Sequence, residues 1–161
     1  MFSKKLIKIT EKLIFACRKE DIKLATAESC TGGLIAGCIT SVAGSSDVFE
    51  RGFNTYSNNA KSEMLNVPID MIIANGAVSK AVAIAMCEGA LKKAPVQLTV
   101  SVTGTAGPGG GTIEKPVGTV HIASARAGES TIEKSYLFVG NRDEIRLSTI
   151  TSAIEMLLYQ V

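Results

Sequence analysis

Ser29 has the clearest potential for covalent chemistry in this sequence, because it lies in a turn between a strand and a helix. The strand is predicted over residues 22–27, and the helix is predicted to begin near residue 34. Such a turn places Ser29 at the carboxyl edge of a sheet, beside backbone N–H groups that favour negative charge. A serine there can be a nucleophile while flanking amides stabilise an oxyanion. On local sequence alone, the simpler interpretation is that Ser29 or Thr31 caps the helix.

A serine nucleophile needs a base within hydrogen-bond reach. His121 is the only histidine and lies within a predicted strand, where a structural role in the sheet is the favoured interpretation. Lys61 could serve if burial lowers its pKa from the usual value of about 10.4, and Tyr56 could relay a proton or hold the amine. The plain alternative is a solvated lysine beside a core tyrosine. Cys30 is a less favoured nucleophile, because its thiolate would need a nearby cation.

A glycine-rich segment follows the predicted strand 96–102. It reads Thr103-Gly104-Thr105-Ala106-Gly107-Pro108-Gly109-Gly110-Gly111 and carries no charge. Successive backbone amides of such a loop can form an anion-binding nest, although taken alone it could be a flexible loop. Ligands in open α/β sheets bind outside the carboxyl ends of the strands. We therefore expect residues 28–33, residues 56–61 and this loop to share one pocket.

Hydrophobic periodicity predicts the elements that position these clusters. The predicted helices cover about 3–19, 34–43, 60–65, 78–93 and 141–158, and the predicted strands cover 22–27, 48–56, 96–102, 117–125 and 131–139. Strands interspersed with helices predict an α/β sandwich, and the hairpin at 117–139 makes its sheet mixed. Ser57 and the pair Asn141 and Glu144 carry the signals of helix N-caps.

Composition restricts the class of protein. The 161 residues predict a single domain, 1–161. A net charge of +2 without a basic stripe argues against nucleic-acid binding. One histidine and no C-x-x-C pair argue against a metal site. Cys17, Cys38 and Cys87 fall in apolar helical patterns and are predicted to be buried free thiols, which suits the cytoplasm. No stretch is predicted to span a membrane.

The sequence resembles the CinA C-terminal domain family of competence/damage-inducible proteins, in the stand-alone form. The resemblance is carried by the segments Ala27–Gly33, Thr55–Lys61, Gly76–Ser79, Thr103–Gly110 and Lys115–Val120. It implies a three-layer α/β/α sandwich with a mixed, mostly parallel central sheet. It also implies that the protein forms a homo-oligomer.

The activity that the resemblance implies is hydrolysis of the carboxamide of nicotinamide mononucleotide, which gives nicotinate mononucleotide and ammonia. The family's serine, tyrosine and lysine correspond to Ser29, Tyr56 and Lys61. The hypothesis is a cytoplasmic serine amidohydrolase that uses no metal or organic cofactor. Its predicted substrate-binding residues are Cys30, Thr31, Gly32 and Gly33 around the oxyanion, and Thr103, Gly104, Thr105, Gly107, Gly109 and Gly110 around the ribose and phosphate.

Two alternatives stay open at this point. The first is a non-catalytic nucleotide- or phosphate-binding module in competence or the response to DNA damage, because the same glycine loop would serve it. The second is an amidase for another small amide, with the same serine, lysine and tyrosine.

Overall fold

The computed structural model describes residues 2–161, so Met1 of the predicted domain 1–161 lies outside the described residues. The strands are β1 (Leu24–Glu28), β2 (Phe49–Asn54), β3 (Leu98–Gly104), β4 (Thr119–Arg126) and β5 (Ile132–Leu137). The helices are α1 (Lys4–Lys19), α2 (Leu34–Thr40), α3 (Asn58–Leu65), α4 (Ile69–Asn75), α5 (Lys80–Lys93) and α6 (Arg142–Gln160). A single 3-10 turn at Ser45–Asp47 precedes β2 within the described chain.

The five strands form one sheet in the order β2-β1-β3-β4-β5. Strand β1 pairs in parallel with β2 and β3, whereas β4 is antiparallel to both β3 and β5. Four strands therefore point the same way and β4 opposes them, which confirms the mixed, mostly parallel sheet. In the register, Glu28 lies opposite Asn54 on β2 and Val102 on β3. The carboxyl ends of β1, β2 and β3 thus meet at one edge of the sheet.

Helices cover both faces of the sheet, which confirms the three-layer α/β/α sandwich. Helices α1, α2 and α6 pack on one face, and α3, α4 and α5 pack on the other. Strand β1 serves both layers, because Leu24 joins the α1/α6 core whereas Ala25 and Ala27 join the core beneath α5. Each fully buried leucine or isoleucine in these cores contributes roughly 1.5–3 kcal/mol to folding. The central strands are buried on both faces and hold their carboxyl ends rigidly.

The helices that lead into the carboxyl edge begin where the sequence predicts. The Ser57 hydroxyl accepts a hydrogen bond from the backbone N–H of Ala60 at 3.0 Å and caps α3. At the start of α6, Asn141 and Glu144 form the predicted capping box. These caps satisfy N–H groups that would otherwise lack partners. They fix the first turns of α3 and α6.

Two elements differ from the sequence-based prediction. Helix α2 ends at Thr40, ahead of Gly44, because the hydroxyls of Thr40 and Ser41 donate to carbonyls of its last turn. Helix α4 was not predicted. Its N-cap is Pro68, which the sequence analysis used only to end the preceding helix. A proline whose φ is fixed near the helical value can do both.

The four cysteines are buried free thiols, which confirms the prediction for Cys17, Cys38 and Cys87. Across residues 2–161 no helix has both the length and the apolar character needed to cross a bilayer.

Candidate active site

A cavity of about 220 Å³ lies at the carboxyl edge of β1, β2 and β3. Its walls come from the serine turn, the start of α3 with Tyr56 ahead of it, the segment between α4 and α5, the start of the glycine-rich segment and the first residue of α6. The lining residues are Ser29, Cys30, Tyr56, Asn58, Lys61, Ala77, Val78, Thr103, Gly104, Ala106 and Arg142. The three polar clusters of the sequence therefore meet in one pocket, as the strand-end argument predicts.

The amine of Lys61 contacts the hydroxyl of Ser29 in the floor of this cavity. The Nζ–Oγ distance is 3.1 Å. The same Nζ donates to the carbonyl oxygens of Thr55 at 3.0 Å and Tyr56 at 3.3 Å. The Lys61 residue is only 1% exposed, although it is a lysine on the first turns of a short helix. The plain interpretation of Lys61 as a solvated lysine is therefore wrong.

Burial lowers the pKa of the Lys61 amine from its ordinary value, and the nearby Cys30 sulfur opposes this only in part. Across residues 2–161, Lys61 forms no ion pair with a carboxylate. An ammonium buried without a counter-charge is disfavoured relative to the neutral amine. A neutral amine keeps two N–H bonds, which fit the two carbonyl oxygens, and one lone pair, which is left for the proton of the Ser29 hydroxyl.

The Cys30 side chain next to Ser29 is buried and lines the same cavity. Burial raises the pKa of the Cys30 thiol to about 11. A thiol in that state carries little thiolate at neutral pH and is a poor nucleophile. The contact with Lys61 therefore distinguishes Ser29 from Cys30 as the group that a base can activate.

The turn that carries Ser29 is wrapped around the buried carboxylate of Glu28. The carboxylate accepts four hydrogen bonds, from the Thr31 hydroxyl at 2.7 Å and from the backbone N–H groups of Gly33, Ile35 and Ala36 at 2.8–3.1 Å. The N-cap residue of α2, Gly33, has no side chain to cap the helix. Glu28 thus supplies the missing cap from the end of β1.

These contacts decide which amides of the turn are available. The N–H of Gly32 donates to the carbonyl of Ser29, and the N–H of Gly33 donates to Glu28. The prediction that these two amides face the cavity is therefore wrong. Within residues 2–161, the backbone N–H groups of Cys30 and Thr31 donate to no backbone carbonyl. Thr31 itself is fully buried, and its hydroxyl bonds Glu28. Of the four predicted oxyanion residues, only Cys30 lines the cavity.

Only part of the glycine-rich segment lines the cavity. Thr103 and Gly104 line the cavity, and the Thr103 hydroxyl donates to the carbonyl of Ala77 at 2.8 Å. The predicted binding residues further along the segment do not line it, namely Thr105, Gly107, Gly109 and Gly110. The backbone N–H of Thr105 instead donates to the carbonyl of Thr119, and that of Gly118 donates to the carbonyl of Thr105, which folds the segment against β4.

Arg142 lines the outer part of the cavity and was not predicted as a site residue. Its guanidinium donates to the carbonyl of Gly107 at 2.7 Å and to the hydroxyl of Tyr56 at 3.4 Å. It forms no ion pair with a carboxylate in the part of the chain that the structure describes. One sequence signal exists, because Arg142 directly follows the N-cap of α6, where the helix dipole disfavours a cation.

Tyr56 contacts Lys61 through its backbone carbonyl, whereas its phenol is turned to the mouth of the cavity beside Arg142. The Tyr56 residue is 63% exposed. Of the two roles considered for Tyr56, holding the lysine amine has a contact in the structure. A side-chain part in catalysis stays a prediction.

His121 does not line the cavity. Its Nδ1 lies 2.9 Å from a carboxylate oxygen of Glu133 on β5 and 2.9 Å from the Ser135 hydroxyl. This confirms a satisfied histidine within the sheet. Among the described residues, no three histidine, cysteine or acidic side chains cluster in a way that could hold a metal ion.

Comparison with known proteins shows what the chain is similar to. The CinA C-terminal domain family matches residues 6–161. The chain is 44% identical over 160 residues to the nicotinamide-nucleotide amidohydrolase PncC of Escherichia coli K12, covering 99% of this chain and 97% of that protein. It is 48% identical to a CinA-like protein of Geobacter sp. strain M21, covering 98% of this chain but 38% of that protein. The chain thus spans about a third of the length of such CinA-like relatives.

The fold has a close counterpart among solved structures. The competence/damage inducible protein CihA from Agrobacterium tumefaciens superimposes with a TM-score of 0.97 at 42% identity. The match covers 99% of this chain and 97% of that protein. With its family match over residues 6–161, the chain belongs to the CinA C-terminal domain family.

Proposed function

We propose that this chain is a serine amidohydrolase that converts nicotinamide mononucleotide to nicotinate mononucleotide and ammonia. Ser29 is the nucleophile and neutral Lys61 is its base. The observation that carries the proposal is the 3.1 Å contact between the Lys61 amine and the Ser29 hydroxyl, made by a lysine that is almost fully buried. An amine held in this way is suited to accept a proton, because the carbonyls of Thr55 and Tyr56 orient it and no carboxylate keeps it charged.

The reaction has two halves in this proposal. Lys61 takes the proton of Ser29, and the Ser29 oxygen attacks the carboxamide carbon. The carbonyl oxygen becomes an oxyanion, which the N–H group of Cys30 stabilises. Lys61 then passes its proton to the amide nitrogen, and ammonia leaves from an acyl-enzyme ester. In the second half, Lys61 accepts a proton from water, the resulting hydroxide attacks the ester, and the carboxylate is released as Ser29 regains its proton.

The outer cavity supports a nucleotide as substrate. Arg142 places an exposed guanidinium at the mouth, anchored by the Gly107 carbonyl, where it can bind a phosphate with two parallel hydrogen bonds. Thr103 and Gly104 line the same cavity and are assigned to the ribose. In this arrangement the carboxamide points inward and the phosphate points to solvent.

The relatives support the same activity. A protein that shares 44% of its residues over nearly the whole of both chains is named as a nicotinamide-nucleotide amidohydrolase. Other relatives are named only as CinA-like proteins, so the name alone does not select the substrate. The direction of the Lys61 pKa is the independent argument, because a binding module would use a charged lysine and burial favours the neutral one.

The test is ammonia release from nicotinamide mononucleotide by purified wild type, Ser29→Ala and Ser130→Ala. Ser130 is an exposed serine in the turn between β4 and β5 and lies outside the cavity. We expect turnover in wild type and Ser130→Ala and none above background in Ser29→Ala. Turnover in Ser29→Ala would exclude the serine mechanism. No turnover in wild type would leave another amide or a binding function.

A further inference from the structure

Glu28 is a buried charged residue next to the nucleophile that the proposed reaction does not use. It is 1% exposed. One of its oxygens accepts from the Thr31 hydroxyl and from the N–H groups of Gly33 and Ile35, and the other accepts from the N–H of Ala36. Four donors from the six residues 31–36 thus converge on a single side chain. Such convergence holds a turn in one conformation, because moving any donor leaves a buried polar group unsatisfied.

The occupied amides have a consequence for where negative charge can bind. The N-terminus of a helix normally attracts an anion through its free N–H groups. In α2 those groups already bind Glu28, so neither a substrate phosphate nor the oxyanion can use them. The N–H group that lies next to Ser29 in the cavity lining is that of Cys30, which belongs to the same wrapped turn.

We propose that Glu28 is a positioning residue that holds Ser29 and the N–H group of Cys30 in the geometry needed for attack on the substrate carbonyl. It acts through the turn at 29–33 and does not touch the substrate. This inference rests on the proposed function only in the identity of the substrate, and the activation of Ser29 can be tested without that substrate. Its second element is that the substrate phosphate is excluded from α2 and directed to Arg142.

Glu28→Gln is the informative change, because glutamine has the same shape but one oxygen in place of two. In its better orientation the amide keeps the three bonds of one oxygen and turns an NH₂ group toward the N–H of Ala36. We expect kcat to fall roughly tenfold to hundredfold, as for small displacements of reacting groups. KM should stay within about twofold, because the groups that bind substrate are unchanged. Glu63→Gln, an exposed acid on α3, is the matched control.

A second readout makes the test independent of the substrate. An alkyl phosphonofluoridate labels an activated serine when the serine oxygen bonds to phosphorus and fluoride leaves, and mass spectrometry measures the rate at Ser29. A role in positioning slows this labelling in Glu28→Gln, whereas a purely stabilising role lowers the melting temperature and leaves the labelling rate of folded protein unchanged. If Glu28→Gln does not fold, Thr31→Val removes one of the four donors and should slow labelling less, in the same direction.

The outcomes separate the two proposals. Slower labelling in Glu28→Gln together with no ammonia from nicotinamide mononucleotide in wild type would support Glu28 and overturn the substrate. Equal labelling rates and equal kcat in wild type and Glu28→Gln would overturn the role of Glu28 while the amidase stands. Absence of labelling in wild type would overturn both, because Ser29 would then not be activated.

Discussion

The two ends of the cavity are built in opposite ways. At the inner end, Ser29, Lys61 and Glu28 are all buried, and their partners are mostly backbone groups. At the outer end, Arg142 and Tyr56 are exposed. Arg142 contacts Gly107, which is 35 residues away in the chain, and Tyr56, which is 86 residues away. Backbone partners hold a reacting group in place, whereas exposed side chains adapt to a ligand. We infer that chemistry belongs to the inner end and substrate selection to the outer end.

The largest expected effect comes from removing the base at the inner end. Lys61→Met keeps an unbranched side chain of similar length and removes the amine, so kcat should fall by roughly 10²–10⁴ as for loss of a general base. Steady-state ammonia release measures it. Lys93→Met, an exposed lysine on α5, is the control and should match wild type. A Lys61→Met enzyme within tenfold of wild type would move the base elsewhere.

The next effect should appear at the outer end and in a different kinetic constant. Arg142→Ala removes the cation assigned to the phosphate, so KM for nicotinamide mononucleotide should rise roughly tenfold to hundredfold, the worth of a charge-assisted hydrogen bond. Arg142→Lys keeps the charge without the paired geometry and should recover part of the loss. Lys19→Ala, an exposed cation on α1, is the control.

The phosphate-free nucleoside makes this prediction specific to the ligand group. Nicotinamide riboside lacks the phosphate, so Arg142→Ala should change its kcat/KM little. An equal loss for nucleotide and nucleoside would mean that Arg142 acts by anchoring Gly107 and Tyr56 rather than by binding phosphate.

A smaller effect is expected in stability, and its dependence on pH has a definite sign. Burial lowers the pKa of Lys61 in the folded protein, so between that pKa and the ordinary one the unfolded chain binds more protons. The free energy of unfolding therefore increases as pH rises through this window, because of Lys61. At lower pH the burial penalty of the charged form is fully present.

Lys61→Met removes that penalty. The variant should be more stable than wild type at neutral pH, and its advantage should shrink as pH rises toward 10. Urea unfolding at several pH values measures it. An advantage that does not change with pH would show that Lys61 binds the same number of protons in the folded and unfolded chains, so that it stays charged in the folded protein over the range tested.

Much of the inner end could be predicted from sequence, because its signals are local. A serine at a strand-to-helix turn and a lysine in the first turns of a helix make the pair that the fold joins a candidate, and the resemblance to the CinA C-terminal domain family selects it over the plainer interpretations. The outer end could not be predicted in the same way. Arg142 reaches the cavity only because α6 packs beside α2, and nothing in the local sequence around it specifies that contact.

The glycines mark a second limit of prediction from sequence. Glycine density predicted an anion nest along the whole segment, yet only its first residues line the cavity. In the structure, Gly33 serves the helix cap and Gly107 serves close packing against Val117. Glu28 was noticed as part of a motif, but its role depends on four donors that only the folded turn brings together.

The smallest effects should come from the glycine-rich segment itself, where Gly107 and Gly109 provide a matched pair. Gly107 has φ +78°, and an added Cβ would lie 2.6 Å from a methyl carbon of Val117, whereas a Cβ at Gly109 meets no atom within 4 Å. Gly107→Ala should lower the free energy of unfolding by roughly 1–3 kcal/mol, and Gly109→Ala should change it by less than about 0.5 kcal/mol. Because the Gly107 carbonyl anchors Arg142, Gly107→Ala should also raise KM for the nucleotide while kcat holds. Equal KM values in the two variants would show that the Gly107 carbonyl does not position the Arg142 guanidinium for the substrate. Substrate binding at the outer end of the cavity would then depend on Arg142 without help from this segment.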